Sequence, residues 1–185
     1  MSIANRDTEV VWHPFTQLKN APLPVALVKG EGAHFYDEAG NKYIYGIASW
    51  WVNVHGHAHP YLTKKIAEQL ATLEHAIFSG FTHEPAVQLA ERLLKKLPDN
   101  QSKVFYSDNG STSVEVALKM AFQYWSNLGA PKTKVIAFEN AYHGDTFGGM
   151  SVGARNAFNN PFEKLLFDVI HIPVPIKGEE EEAFN

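Results

Sequence analysis

The sequence contains no cysteine, which excludes disulfides, thiolate nucleophiles and zinc sites built from cysteine. No stretch approaches the roughly 18 consecutive apolar residues that a membrane-spanning helix needs. The start of the chain also lacks the basic and then apolar order of a secretory signal peptide. Neither sign of charge dominates, because 16 basic residues face 20 acidic ones and the net charge is −4. We therefore expect a cytoplasmic protein with no general affinity for nucleic acid or for membranes.

What is present is an ordinary globular composition over 185 residues, of which 45% are apolar and 19% charged. The N-terminal part carries short strand signals. Residues 24–46, PVALVKGEGAHFYDEAGNKYIYG, hold apolar runs separated by the turn sequences GEG and EAGN. This pattern predicts a β-meander.

Two amphipathic helices are predicted after the meander. Residues 60–75, PYLTKKIAEQLATLEH, place apolar side chains at helical spacing, namely Leu62, Ile66, Leu70 and Leu73. Residues 82–98, THEPAVQLAERLLKKLP, predict the second helix, with Thr82 as its N-cap and Pro85 in its first turn.

The pattern then changes to strands that alternate with a helix. Strands are predicted at 103–107 (KVFYS), 134–138 (KVIAF) and 168–174 (DVIHIPV), and a long helix ended by glycine at 110–129. This order is typical of βαβ units and a parallel sheet. The shift from meander to α/β pattern near residue 53 is the candidate domain boundary.

A candidate phosphate site follows the first of these strands, in YSDNGSTSVEVALKMA. The predicted strand ends at Tyr106, and a helix is expected to begin at Ser111 or Thr112. The backbone N–H groups of Gly110, Ser111 and Thr112 would then lie at a positive helix end, which suits a phosphate. The same residues would also serve as a simple helix cap and turn. The segment is neither a Walker A loop nor a G-x-G-x-x-G fingerprint.

A second candidate lies in the glycine-rich connection FENAYHGDTFGGMSVG after the next strand. Tyr142, His143 and Asp145 supply one flat aromatic ring, one imidazole and one carboxylate at a strand end. Such a set suits a pocket for a ring-shaped ligand. The alternative is a glycine-rich loop with a packed tyrosine.

Three histidines in SWWVNVHGHAHP raise the question of a metal site. His55, His57 and His59 share part of the H-x-H-x-D-H spacing of metallo-β-lactamases, but the aspartate and the final histidine are absent. The intervening Gly56 and Ala58 also argue for a turn. We expect these histidines to be loop and packing residues, and we expect no metal.

Four motifs in this order carry a family resemblance: VWHPFTQ at 11–17, ASWWVNVHGHAHP at 48–60, SDNGSTSVEVALKMAFQYW at 107–125 and NAYHGDTFGGMSV at 140–152. Together they resemble the N-terminal portion of the class III pyridoxal phosphate-dependent aminotransferases, and the tryptophan motifs resemble the biotin-synthesis branch. The resemblance implies an α/β fold of fold type I that is incomplete here. Residues 1–52 would be the meander part of the small domain. Residues 53–185 would be the first part of the large mixed or parallel-sheet domain that binds pyridoxal phosphate.

The resemblance also implies roles for the cofactor site. Gly110 and Ser111 match the residues that hold the cofactor phosphate, and Thr112 lies beside them. Tyr142 matches the aromatic residue that stacks on the pyridine ring, with His143 next to it.

Further matches concern the substrate pocket. Trp50 and Trp51 match its tryptophans, and Tyr142 would contribute to it as well. Phe15 stands where the family often has tyrosine, so it offers ring packing without a hydroxyl and leaves the amino donor open. Asp145 matches a supporting position.

The implied activity is transfer of an amino group from S-adenosylmethionine to 8-amino-7-oxononanoate, giving 7,8-diaminononanoate, by a cytoplasmic homodimer. The family's cofactor-binding lysine lies far downstream of the Tyr-His-Gly motif, and neither Lys164 nor Lys177 sits in a matching context. We therefore expect no catalytic residue in this chain and no activity from it alone.

The last residues of the chain include the acidic run EEEE. The acidic run at 179–182 is typical of the first turn of a helix, so we expect a truncated chain.

Three other functions stay open: another class III aminotransferase acting on an ω-amino acid, a non-catalytic module that binds a phosphate ligand, and a metallohydrolase.

Overall fold

The computed structural model describes residues 1–178, so the helix start predicted in the acidic run lies outside the described residues. The chain divides into two units, residues 1–86 and residues 87–185. This division groups residues that are close to one another within this chain. The domain boundary between residues 52 and 53 refers to complete family members and stays a prediction.

The first unit is organised around an antiparallel meander. It begins with helix α1 (Ile3–Val10) and a 3₁₀ turn (Leu18–Asn20). Strands β1 (Leu27–Glu31), β2 (His34–Asp37) and β3 (Lys42–Ile44) then pair in the order β1-β2-β3. The predicted meander is therefore confirmed.

The turn between β2 and β3 is fixed by one carboxylate. Asp37 accepts hydrogen bonds from the backbone N–H groups of Ala39 (3.0 Å) and Asn41 (2.8 Å), and from the hydroxyl of Tyr43 (2.8 Å). Local side-chain bonds of this kind are why aspartate favours tight turns.

His57 packs onto the meander. Its backbone exchanges two hydrogen bonds with Gly32, at 2.8 and 3.0 Å. Its ring lies 4.3 Å from the ring of Phe35 and 5.6 Å from that of Tyr45, measured between centroids. Gly30 makes room for it, because a Cβ there would lie 2.9 Å from the Cβ of His57. The central histidine of the motif is thus a packing residue.

Two right-handed helices follow, α3 (Pro60–Leu70) and α4 (Glu84–Leu94), after a short turn α2 (Ala48–Trp51). Pro60 opens α3, where its missing N–H costs nothing. The helix ends at Leu70, so the predicted apolar position at Leu73 lies beyond it.

The predicted N-cap of α4 is wrong. The helix begins at Glu84, and His83 precedes it instead of Thr82. The ring Nδ1 of His83 accepts the backbone N–H of Ala86 at 3.4 Å. An imidazole nitrogen therefore satisfies one of the amide donors that a helix start leaves without an internal partner.

The second unit contains a βαβ-type crossover. Helix α5 (Gly110–Asn127) precedes strand β4 (Val135–Phe138), helix α6 (Phe147–Val152), a 3₁₀ segment (Asn160–Leu165) and strand β5 (Val169–Ile172). Strands β4 and β5 pair in parallel, with Val135 opposite Val169 and Phe138 opposite Ile172. This confirms two of the three predicted strands and their parallel arrangement.

The predicted strand at 103–107 is wrong. These residues have no strand conformation and belong to no ladder of the described part of the chain. A strand needs a neighbour to bond its backbone groups, and only β4 and β5 pair in this unit among residues 87–178. The composition of residues 103–107 is therefore not sufficient to make them a strand.

Helix α5 ends as its sequence predicts. Gly129 adopts φ +69°, its N–H donates to the carbonyl of Ser126 at 3.0 Å, and the N–H of Ala130 donates to that of Trp125 at 3.2 Å. These two bonds form a Schellman motif, which needs a left-handed residue and therefore favours glycine.

The buried centre of the second unit is α6. The side chain of Ser151 is fully buried; its hydroxyl donates to the carbonyl of Phe147 at 2.7 Å and accepts the N–H of Phe167 at 3.2 Å. Arg155 donates to the carbonyls of Met150 and Ser151, at 2.7 and 3.0 Å. This closes the C-terminal end of the helix, where cations are favoured.

Elsewhere, apolar helix faces are uncovered. Ile66 and Leu70 on α3 and Leu89 on α4 are all exposed. Exposed apolar side chains on a helix face are typical of surfaces that contact another polypeptide. Among the residues that the structure describes, no helix combines the length and the apolar character that crossing a bilayer demands.

Replacing Gly30 by alanine tests the packing of the meander. The new methyl would lie 2.9 Å from the Cβ and Cγ of His57, whose ring is held against Phe35 and Tyr45. We expect the free energy of unfolding to fall by about 1–3 kcal/mol, the usual cost of overpacking. Urea unfolding followed by circular dichroism measures it. The control is Gly46→Ala, where a Cβ meets no atom within 4 Å. Equal losses for the two variants would contradict the contact.

Candidate active site

The N-terminus of α5 is closed by a capping box. The side chain of Asn109 accepts the backbone N–H of Thr112 at 2.9 Å, and the hydroxyl of Thr112 accepts the N–H of Asn109 at 3.2 Å. The helix therefore begins at Gly110, one residue before Ser111 and two before Thr112, the two starts that the sequence predicted. Asparagine is among the residues that favour this position.

This cap divides the amide donors of the first turn. The N–H groups of Thr112 and Ser113 are bonded to Asn109, at 2.9 and 3.1 Å. No hydrogen bond joins the N–H groups of Gly110 and Ser111 to any group of residues 1–178. Two adjacent donors at the positive end of an 18-residue helix are therefore available to an anion.

The hydroxyl of Thr112 faces the preceding turn. It lies 2.6 Å from the hydroxyl of Ser107 and donates to the carboxylate of Asp108. That bond is the main reason why the pKa of Asp108 lies below its ordinary value. Thr112 is thus a structural part of the turn, with both its N–H and its hydroxyl engaged.

Gly144 lies directly against Ser111. A Cβ on Gly144 would overlap the hydroxyl of Ser111 and lie 2.6 Å from its Cβ, and Gly144 also has φ +100°. Only glycine meets both conditions without strain. The contact brings the loop that follows β4 onto the first turn of α5, so two predicted parts of the site meet.

Tyr142 presents its ring to solvent while its hydroxyl is fixed. The residue is 74% exposed, and its hydroxyl donates to the carboxylate of Asp145 at 2.9 Å. This hydrogen bond is the main reason why the pKa of Tyr142 lies above its ordinary value. The tether leaves the ring face open for stacking. His143 is half-buried beside it.

Glu115 fastens the far end of the same loop to α5. Its carboxylate accepts the N–H groups of Gly148 at 2.6 Å and Gly149 at 3.3 Å. A bond from the hydroxyl of Thr146 is the main reason why the pKa of Glu115 lies below its usual value; the two N–H bonds and nearby Lys119 act in the same direction.

Neither Glu115 nor Gly144 was predicted to be a site residue from the sequence. Glu115 follows Ser111 by four residues, which places both on one face of a helix. That spacing was the available signal for Glu115. The partners Gly144 and Gly148 lie about 30 residues later, and no local pattern indicates such a contact.

Apart from Tyr142, the predicted substrate residues lie in the first unit, and they are exposed. Trp50 is 66% exposed, Trp51 82% and Phe15 76%. Turn α2 consists of four successive residues with positive φ, from Ala48 (+49°) to Trp51 (+73°), and Phe15 also has φ +54°. Left-handed conformation costs a non-glycine residue about 1–2 kcal/mol. Such outliers cluster at functional sites.

The outer histidines of the motif do not form a metal site in the described chain. The rings of His55 and His59 meet edge to face at 6.1 Å, and the Nδ1 atom of His59 is buried without a hydrogen-bond partner there. Within residues 1–178, no three histidine or acidic side chains converge on one point.

Replacing Gly144 by alanine tests the contact that assembles the site. The variant adds a methyl that overlaps Ser111 and places alanine at φ +100°. We expect a loss of about 2–6 kcal/mol in the free energy of unfolding, from overpacking and backbone strain together. The control is Gly129→Ala, which has φ +69° in open space and carries backbone strain alone. The contact is disproved if urea unfolding gives Gly144→Ala no greater loss than Gly129→Ala.

Comparison with known proteins identifies the family of this chain. The family model for class III aminotransferases matches residues 15–185. Adenosylmethionine-8-amino-7-oxononanoate aminotransferase of Synechococcus elongatus is 58% identical over 165 residues, covering 89% of this chain and 39% of the relative. The chain therefore spans about two-fifths of that relative's length.

Solved structures give the same picture. The crystal structure of adenosylmethionine-8-amino-7-oxononanoate aminotransferase from Methanocaldococcus jannaschii is similar with a TM-score of 0.87 and 36% identity, covering 97% of this chain and 42% of that one. The ω-transaminase of Pseudomonas jessenii in complex with PMP has a TM-score of 0.85 and 31% identity, covering 100% and 43%. This chain belongs to the class III aminotransferase family and has part of the fold type I architecture of its members.

Proposed function

We propose that this chain is the cofactor-positioning, N-terminal part of a pyridoxal phosphate-dependent aminotransferase that moves an amino group from S-adenosylmethionine to 8-amino-7-oxononanoate. The observation that carries the proposal is the contact of Gly144 with Ser111. Tyr142, whose ring is exposed, precedes Gly144 by two residues, and Ser111 carries one of the two available amide donors. An anionic group and a flat ring on one ligand match these two features.

The residues present fit the phosphate of the cofactor. Gly110 and Ser111 would donate their backbone N–H groups to it, and the positive end of α5 would favour its charge. The capping bonds of Thr112 hold the turn in place, so its role would be support from beside the phosphate.

The residues after β4 fit the ring of the cofactor. Tyr142 would stack on it, because its exposed face is kept in position by the hydrogen bond of its hydroxyl to Asp145. Asp145 would thus act as a supporting residue. His143, half-buried beside the tyrosine, would complete the wall of the site.

When bound, pyridoxal phosphate supplies the electron sink that amino transfer requires. The residues of this chain would bind and orient it, and they would move no proton. A lysine must hold the cofactor and shuttle the proton. Lys164 and Lys177 do not match the family's lysine, so we place the catalytic residue outside these 185 residues.

The substrates would meet residues of the first unit as well. Trp50, Trp51, Phe15 and Tyr142 would each be substrate-binding residues of the complete enzyme. The strained backbone of turn α2 supports a role beyond packing for its two tryptophans. We further propose that the complete enzyme is a cytoplasmic homodimer. Its small-domain portion would be residues 1–52, and its cofactor domain would begin at residue 53.

A second activity is supported by one observation. The ω-transaminase of Pseudomonas jessenii shares the fold at 31% identity, and Phe15 lacks the hydroxyl that the family often has there. An ω-amino acid could then replace S-adenosylmethionine as donor. The 58% identity to the Synechococcus elongatus relative favours the first activity.

An amino-donor assay of the complete enzyme that carries this chain tests the proposal. We expect repeated turnover with S-adenosylmethionine and 8-amino-7-oxononanoate, and none with an ω-amino acid as donor. The 185-residue chain alone serves as a control and should give no turnover, because the lysine is absent. Turnover with the ω-amino acid only would establish the second activity. Turnover by the 185-residue chain would refute the division of roles.

A further inference from the structure

The loop after β4 is attached to α5 at two points with the same spacing. Ser111 and Glu115 lie four residues apart on α5, and therefore on one face of the helix. Gly144 in the loop and Gly148 in the first turn of α6 also lie four residues apart, and each contacts one of these two side chains. The loop thus follows the helix over one turn.

The two attachments differ in kind. Gly144 touches Ser111 by close packing, whereas Gly148 donates its N–H to the carboxylate of Glu115 at 2.6 Å. A Cβ on Gly148 would lie 2.6 Å from the Cδ of Glu115, so glycine is required for this approach. Gly148 and Gly149 belong to the first turn of α6, whose N–H groups have no partner inside the helix. A carboxylate is favoured there.

The other hydrogen bonds of this region go to its own segment or to later residues. Ala154 donates its N–H to the carbonyl of Ala141 at 2.8 Å, the hydroxyl of Ser151 accepts the N–H of Phe167 at 3.2 Å, and the carbonyl of Gly153 lies 3.1 Å from Nε2 of His171. In the described part of the chain, Glu115 is the α5 side chain seen to hydrogen-bond to α6. Without it, α6 would lose these hydrogen bonds to α5, and packing such as that of Gly144 against Ser111 would remain.

We propose that Glu115 is a positioning residue for the cofactor ring: it holds residues 142–149 on α5 and so fixes Tyr142 relative to the donors of Gly110 and Ser111. This inference rests on the proposed function. The carboxylate of Glu115 accepts hydrogen bonds from Gly148 and Gly149. Its effect on the cofactor would be indirect, because it keeps Tyr142 in position. A small displacement of a positioning group is enough to weaken a preorganised site.

Binding of pyridoxal phosphate to the apo form of the complete enzyme tests the proposal. Dissociation constants are measured for the wild type, Glu115→Ala and Glu115→Gln, each with Tyr142 present and with Tyr142→Ala. Glu91→Ala is the matched control, because this exposed helical glutamate forms no side-chain hydrogen bond or ion pair within residues 1–178. Visible circular dichroism of the bound cofactor reports the orientation of its ring.

We expect Glu115→Ala to weaken binding about tenfold with Tyr142 present and less than about twofold in the Tyr142→Ala background, since groups that act through one another are not additive. Glu115→Gln should lose only about threefold, because its amide oxygen still accepts the N–H of Gly148. That loss should also vanish in the Tyr142→Ala background. The dichroic band should change with Glu115→Ala and stay unchanged with Glu91→Ala.

Three results would overturn the proposal: unchanged affinity, an equal loss in both tyrosine backgrounds, or a lower melting temperature with unchanged affinity and dichroism. The last of these would make Glu115 a stabilising residue only. If Glu115→Ala does not fold, the Glu115→Gln variant decides between the two roles. Its loss of affinity must then be smaller in the Tyr142→Ala background than with Tyr142 present. A wild-type enzyme that binds no pyridoxal phosphate would refute the proposed function itself, whereas normal binding with unaffected variants would refute this inference alone.

Discussion

The contact between Gly144 and Ser111 is the constraint on which the candidate site depends. It joins the turn before α5, which offers amide donors, to the loop after β4, which offers a ring and a carboxylate. Any side chain larger than hydrogen at residue 144 would overlap Ser111, so the two halves meet only because a glycine stands there. The capping box of Asn109 and Thr112 then decides which donors remain available. Geometry, more than the number of polar residues, makes this a candidate site for a phosphorylated ring.

The same structure explains why this chain would position a cofactor without performing the reaction. Phosphate donors, stacking ring and supporting carboxylate all come from the first part of the fold, at the ends of α5 and β4. The exposed apolar faces of α3 and α4 show that further polypeptide would be needed to cover them. The chain spans 39% of the length of the Synechococcus elongatus relative, which is in keeping with a lysine supplied from elsewhere in a complete enzyme.

Local signals in the sequence predicted much of this fold. The turn sequences predicted the meander, Gly129 predicted the end of α5, and the apolar runs predicted the parallel strands β4 and β5. The prediction of a strand at 103–107 was wrong because a strand forms only beside another strand that pairs with it, and local composition does not reveal that partner. Gly110, Ser111 and Tyr142 were nominated because they follow predicted strands, and the family resemblance then implied their roles. Glu115 was missed because its partner Gly148 lies 33 residues away, and one sequence contains no signal for such a pairing.

The central claim is that the N–H groups of Gly110 and Ser111 bind the cofactor phosphate while that of Thr112 serves the cap. Amide chemical shifts of the ¹⁵N-labelled 185-residue chain, followed as pyridoxal phosphate is added, test it most directly. The account predicts large downfield shifts for Gly110 and Ser111, a ring-current shift near Tyr142, and little change for Thr112, whose N–H is already bonded to Asn109 at 2.9 Å. Saturable shifts confined to other parts of the chain, or a Thr112 shift as large as that of Ser111, would contradict it.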